Sequence, residues 1–139
     1  MHLDYNRDEN DLKLAIGEFE ECLKNRDRGE YPAEWAAAKV NLAVAHFRSK
    51  GKNHFDAARE DLDEVVQNSD QGISTDLRCT AQFNLGLVYL EIPDGDTAKD
   101  LAEAMQHFQW AMDHSQNETK SLYSRYLAET RQRLRNSPH

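Results

Sequence analysis

Apolar residues along this chain recur at helical rather than strand spacing, and one spacing returns three times. Leu12, Ala15, Phe19, Cys22 and Leu23 follow one another at steps of three, four, three and one, and the same steps separate Phe55, Ala58, Leu62, Val65 and Val66, then Leu101, Ala104, Phe108, Ala111 and Met112. Each set predicts an amphipathic helix with a small alanine at the same place, where a neighbouring helix can come close. A second pattern lies between these. Trp35, Ala38, Asn41, Leu42, Ala43, Ala45 and His46 are each followed 43 positions later by Arg78, Ala81, Asn84, Leu85, Gly86, Val88 and Tyr89. With the second kind termed A and the first B, the order is B, A, B, A, B. From Thr119 a last helix carries Leu122, Tyr123, Tyr126, Leu127, Thr130 and Leu134 on one side and Lys120, Arg125, Glu129 and Arg133 elsewhere. It reads as a degenerate A helix that caps the array with a polar back.

Punctuation residues fall where this alternation needs them. Pro32 suits a first helical turn, and Ser74, Thr75 or Asp76 can satisfy exposed amides at a helix start. Lys50-Gly51-Lys52-Asn53, within Ser49 to His54, and Pro93-Asp94-Gly95-Asp96, within Ile92 to Thr97, are turn-forming clusters that each separate an A helix from its B helix. Low glycine and proline counts, 6 and 3, argue against a many-turned β sandwich. The expectation is an all-α chain forming one domain over residues 1–139, with a lone B helix at about 8–25, one repeat at about 31–68, a second at about 74–115 and a capping helix at about 119–135.

Charge and composition narrow the function. The net charge is -8, and it is uneven, because residues 119 to 139 hold five Lys/Arg and one Asp/Glu. An acidic body repels phosphate backbones, so nucleic acid is not an expected partner. The basic tail with Arg125, Arg131, Arg133 and Arg135 fits either an anionic partner or the dipole at a helix C-terminus. No stretch approaches the roughly 18 apolar residues of a membrane span, and Met1 opens no signal-peptide core, so a cytoplasmic protein away from membranes is expected. Cys22 and Cys79 are far apart and read as small buried hydrophobes rather than a disulfide or metal pair.

Leu85-Gly86, Tyr89, Ala104, Phe108 and Ala111, with the looser set Leu42-Ala43, His46, Ala58, Leu62 and Val65, resemble the tetratricopeptide repeat family. In that family's pattern a Leu-Gly or Leu-Ala pair precedes an aromatic, and small, large and small residues follow on the second helix. The 43-residue period is longer than the usual 34. It is similar to the long-helix arrays of kinesin light chains and of bacterial repeat proteins linked to caspase-like domains, in which segments such as Pro32-Ala33-Glu34-Trp35-Ala36 and Asn41-Leu42-Ala43 are typical. The resemblance covers residues from about 10 to about 134. It implies a right-handed α-solenoid of antiparallel helix pairs with about six helices, binding a peptide or another protein in the groove lined by its A helices. Only two full A/B pairs are present, whereas roughly three repeats normally make a continuous core. The ends then need cover from the capping helix, from a second copy in a homodimer, or from a larger parent protein.

The resemblance places Val40, Asn41, Val44, Phe47 and Arg48 of the first repeat in the groove, with Thr80, Phe83, Asn84, Leu87, Leu90 and Glu91 of the second. Asn41 and Asn84 share one register, and an amide can pair with a peptide backbone whatever its sequence, or simply bond a neighbouring helix. Arg48 could meet a carboxylate or belong to a solvated acidic surface. Glu91 at the matching position argues against the cationic clamp that some repeats of this family use for C-terminal carboxylates. The apolar lining fits a helical or apolar partner, though core packing accounts for each such residue taken singly.

Nothing in the sequence points to an enzyme. It has no glycine-rich phosphate loop, no Gly-x-Ser-x-Gly and no Cys-x-x-Cys. His107 and His114, seven residues apart, could share a helical face, but the further ligands that zinc requires are missing, so no metal or cofactor is expected. Glu60, Asp61, Asp63 and Glu64 read as a solvated convex face, and the triplet Asn117-Glu118-Thr119 has no consequence without secretion. The expected function is that of a protein-interaction scaffold. The alternatives are a self-assembling structural module, or a regulatory domain that senses a peptide or small molecule.

Overall fold

The computed structural model describes residues 5–68, 72–92, 97–116 and 118–136. These form six helices and no strand: α1 (Tyr5–Asn25), α2 (Pro32–Ser49), α3 (Lys52–Gln67), α4 (Thr75–Glu91), α5 (Thr97–His114) and α6 (Glu118–Arg135). The all-α expectation with six helices therefore holds. The helix α1 starts earlier than expected, because the polar run before Leu12 carries no apolar period. The cluster Pro93-Asp94-Gly95-Asp96 and Asn117 lie outside the described residues.

Each helix packs on the next in sequence, and α2 also touches α4. The stripes explain why. Phe55, Ala58, Leu62 and Val65 of α3 are buried, as are Leu101, Ala104, Phe108 and Ala111 of α5. In α2 and α4 the buried faces run through Ala38, Leu42 and Ala45 and through Ala81, Leu85 and Val88, at steps of four and three. Tyr123, Leu127 and Thr130 of α6 are buried at those same steps, which sets Leu127-Ala128 in the register of Leu85-Gly86. Removing the fully enclosed Leu62, Leu85, Val88 and Phe108 side chains from water stabilises the fold by about 1.5–3 kcal/mol each. In α1 the matching residues Leu12, Ala15, Phe19 and Cys22 are only half-buried, since among the described residues α2 is the one helix packed closely on α1.

Local chemistry sets the helix ends. Pro32 occupies the first turn of α2, where a missing N–H costs nothing. Of the three candidate caps for α4, Ser74 serves: its Oγ accepts from the Leu77 N–H at 3.1 Å. Between α2 and α3 the chain turns at Lys50 and Gly51, both at positive φ (59° and 98°), a conformation that glycine adopts without strain.

Candidate functional site

The A-helix positions expected to form a groove fall into two groups. Val40 is only 4% exposed and lies in the core beside Trp35 and Leu62. Phe47 packs on the same cluster, with its ring 5.6 Å from that of Phe55. Phe83 is enclosed by three rings, those of Phe108 (5.6 Å), Tyr123 (5.0 Å) and Tyr126 (5.1 Å, edge-on). Leu87 and Leu90 pack against the cluster of Ala104, Phe108 and Leu127. On the α4 side, then, α6 occupies much of the apolar surface, and these side chains hold the fold together.

The second group faces outward. Asn41 and Arg48 are exposed and Val44 is half-buried. The Asn41 amide has no hydrogen-bond partner among the described residues. Asn84 shares its register but not its surroundings: it is half-buried, and its Nδ2 donates to the Thr80 carbonyl at 2.9 Å within its own helix. The Thr80 hydroxyl in turn donates to the Asp76 carbonyl at 3.0 Å. Glu91 is exposed. Arg48 borders a cleft of about 320 Å³ between α1 and the end of α2, together with Asp8, Glu9, Leu12, Ser49 and Lys50.

Several polar pairs join helices at positions the sequence reading did not connect. Lys39 of α2 reaches Asp61 (3.3 Å) and Glu64 (3.4 Å) of α3. Asp61 is therefore not part of a solvated face, and burial raises its carboxyl above the ordinary value even with Lys39 beside it. His46 and His54 meet Nδ1 to Nδ1 at 2.8 Å. Burial, and after it the charge of His54, lowers the His46 imidazole, while Glu20 of α1 opposes both. The His107 Nδ1 lies 2.6 Å from Gln82 Oε1, so a neutral His107 donates there, and its ring stacks on Tyr89 at 5.5 Å. Burial lowers His107 as well, against the pull of Glu103. His114 is exposed and stacked on Trp110 at 3.9 Å, so it forms no site with His107. Such pairs depend on how helices cross, which spacing along one helix does not reveal.

Two depressions lie between α5 and α6. One, of about 540 Å³, is lined by Met105, Gln109, Trp110, Leu127 and Leu134 among others. The other, of about 560 Å³, is bordered by Met112, Ser121, Ser124 and Ala128, with Lys120 and Arg125 beside them. The signal that could have found this surface is Ala128, a small residue at the place where Ala43 and Gly86 pack. Among the described residues no group of three or more His, Cys, Asp or Glu is placed to hold a metal ion, and no helix is long and apolar enough to cross a membrane. Both cysteines are free thiols; Cys79 is buried and donates to the Ala111 carbonyl at 3.7 Å. The chain matches no family model, no curated protein and no solved structure.

Proposed function

We propose that this chain is a tetratricopeptide-like module, a right-handed solenoid of antiparallel helix pairs, that binds another protein or peptide along the outward side of α2 and α4. The observation that carries this reading is the row Asn41, Val44 and Arg48, repeated 43 positions later as Asn84, Leu87 and Glu91, with Asn41 exposed and unpartnered among the described residues and Val44 only half-buried. An amide with both donor and acceptor capacity beside a half-exposed aliphatic side chain suits a partner backbone running past an apolar spot. Charges of opposite sign at Arg48 and Glu91 leave no concentrated field for a phosphate or carboxylate group, which favours a helical or apolar segment as partner.

The test is affinity capture from source cells with variants on this row. Val44→Glu and Asn41→Ala suit it better than changes at Leu87, which packs on the core. Both variants are expected to keep the wild-type circular dichroism spectrum and to lose the partner that wild type retains. Retention of every partner by the folded double variant would overturn the reading.

A further inference from the structure

At one register of the A helices a small residue meets the B helix that follows. Gly86 of α4 takes the ring of Phe108, whose Cε1 would stand 2.5 Å from a Cβ at that position. Ala43 of α2, 1% exposed, shares a core cluster with Leu62 of α3. The third member of this series is Ala128 of α6, 42 positions after Gly86. It is exposed and borders the depression beside Ser124, Lys120 and Arg125. Among the described residues no B-type helix covers it.

The complementary half of such a joint is α1. Its Phe19 holds the place of Leu62 and Phe108, which are 1% and 0% exposed, yet Phe19 is only half-buried. No A-type helix precedes α1 among the described residues. Charge agrees with packing. On α3, Asp61 and Glu64 clasp Lys39 of the preceding A helix; 43 positions earlier α1 carries Glu18 and Glu21, both exposed. In α6 the place of Lys39 falls on Ser124, with Arg125 next to it and Lys120 one turn before. Among the described side chains α1 exposes six carboxylates, from Asp8 to Glu21, against Lys13 and Lys24. Asp8 and Glu9 border the α2 cleft, Glu20 acts on His46 of α2 and Glu21 lies 3.5 Å from Lys24, which leaves Asp11 and Glu18 with Glu21 for the side away from α2. By contrast, α6 exposes five cations, from Lys120 to Arg135, against Glu118 and Glu129.

We propose that α1 of a second copy of this chain docks on α6 beside α5, seating Phe19 on Ala128, so that copies join head to tail. Paired A and B helices run antiparallel, so Glu18 and Glu21 lie along the Lys120 and Arg125 end of α6, and Asp11 lies toward Arg131 and Arg135, while Asp8 and Glu9 line the cleft beside Arg48 of their own chain. The joint is heterologous: each added copy leaves one α1 and one α6 face open, and the assembly extends instead of closing as a two-fold dimer. This rests on the A/B alternation of the repeat reading but uses none of the outward row on α2 and α4.

Light scattering after size exclusion, across concentration and salt, tests it. Wild type is expected to exceed the 16.0 kDa chain mass, to grow past a dimer as concentration rises, and to return to the chain mass in high salt, where exposed charges are screened. Glu18→Lys/Glu21→Lys on α1 and Ala128→Arg on α6 alter exposed positions; each variant is expected to keep its thermal midpoint and to be monomeric alone. An equimolar mixture of the two still offers one intact α6 and one intact α1, and is expected to form dimers and nothing larger. A wild type that stays at the chain mass at all concentrations in low salt, one that stops at a dimer, association that survives either variant, or a mixture that stays monomeric would each overturn the proposal. So would a monomeric wild type that loses capture of a different protein on Ala128→Arg. Val44→Glu is expected to leave self-association unchanged, so failure of the groove reading and failure of this proposal give different results.

Discussion

The ring of Phe108 on α5 lies against Gly86 on α4 so closely that a Cβ at position 86 would stand 2.5 Å from its Cε1 and 2.8 Å from its Cδ1. Phe108 is fully buried, and its ring is held by those of Phe83 and Tyr126, each at 5.6 Å, so it has little room to retreat. Gly86→Ala gains about 1 kcal/mol of helix propensity but forces overpacking that costs about 1–3 kcal/mol. The expected result is a lower thermal midpoint. Gly17 of α1 has nothing within 4 Å of such a Cβ, so Gly17→Ala keeps only the gain and raises the midpoint. Equal shifts for the two variants would dismiss the packing explanation.

Lys39 links α2 to α3 through two carboxylates of unequal worth. The Asp61 side chain is 13% exposed and that of Glu64 52%. Lys39→Ala leaves the enclosed Asp61 carboxylate without its cation and is expected to cost about 1–3 kcal/mol in urea unfolding. Glu64→Gln is expected to cost no more than about 0.5 kcal/mol, as exposed pairs do. Asp61→Asn removes a charge whose burial is already unfavourable and keeps an acceptor for Lys39, so it is expected to be near neutral. A Glu64→Gln loss as large as that of Lys39→Ala would contradict this ranking.

The helices were legible because burial has a period. Leu62, Phe108 and Leu85 sit at repeated steps, and each is enclosed as those steps imply. What spacing within one helix does not encode is which faces of different helices meet. Resemblance puts Val40, Phe83 and Leu90 in an open groove, whereas their packing depends on neighbouring helices, α6 in the case of Phe83. Likewise Asp61 looked like one carboxylate in a solvated run until the crossing of α2 over α3 brought Lys39 to it. Asn41 and Asn84 were found as a pair by register, but register says nothing of the Thr80 carbonyl that takes one of them.

Ser74 holds the first turn of α4 by accepting from the Leu77 N–H at 3.1 Å, in extended backbone geometry (φ -66°, ψ 154°). Ser74→Ala removes the acceptor and leaves an amide of the first turn to water, an expected loss of about 1 kcal/mol. Ser74→Asp restores an acceptor and adds a charge suited to a helix N-terminus, so it is expected to recover the wild-type urea midpoint. Failure of the aspartate to recover it would point to a role for Ser74 other than capping.

Acidification is expected to weaken the fold before any carboxylate titrates in its ordinary range. Burial holds both His46 and His107 below the ordinary histidine value of 6.5. The unfolded chain therefore takes up protons that the folded chain still refuses, and stability rises with pH across that interval. The contribution is complete above about pH 7 and is lost as pH falls through the ordinary histidine value toward the lowered ones. Around His46, His54 of α3 deepens the effect and Glu20 of α1 reduces it; around His107, Glu103 reduces it. Asp61 and Asp63 are raised by burial, so they act in the opposite sense over an interval that begins at the ordinary value of 3.8 and extends upward. Urea unfolding at about pH 7.5 and about pH 5.5 is expected to show a lower midpoint for wild type at the acid condition. In a His46→Gln/His107→Gln variant the difference is expected to shrink, whatever its absolute stability. A wild-type midpoint that is equal or higher at the acid condition would contradict the assignment of both histidines as buried neutral groups.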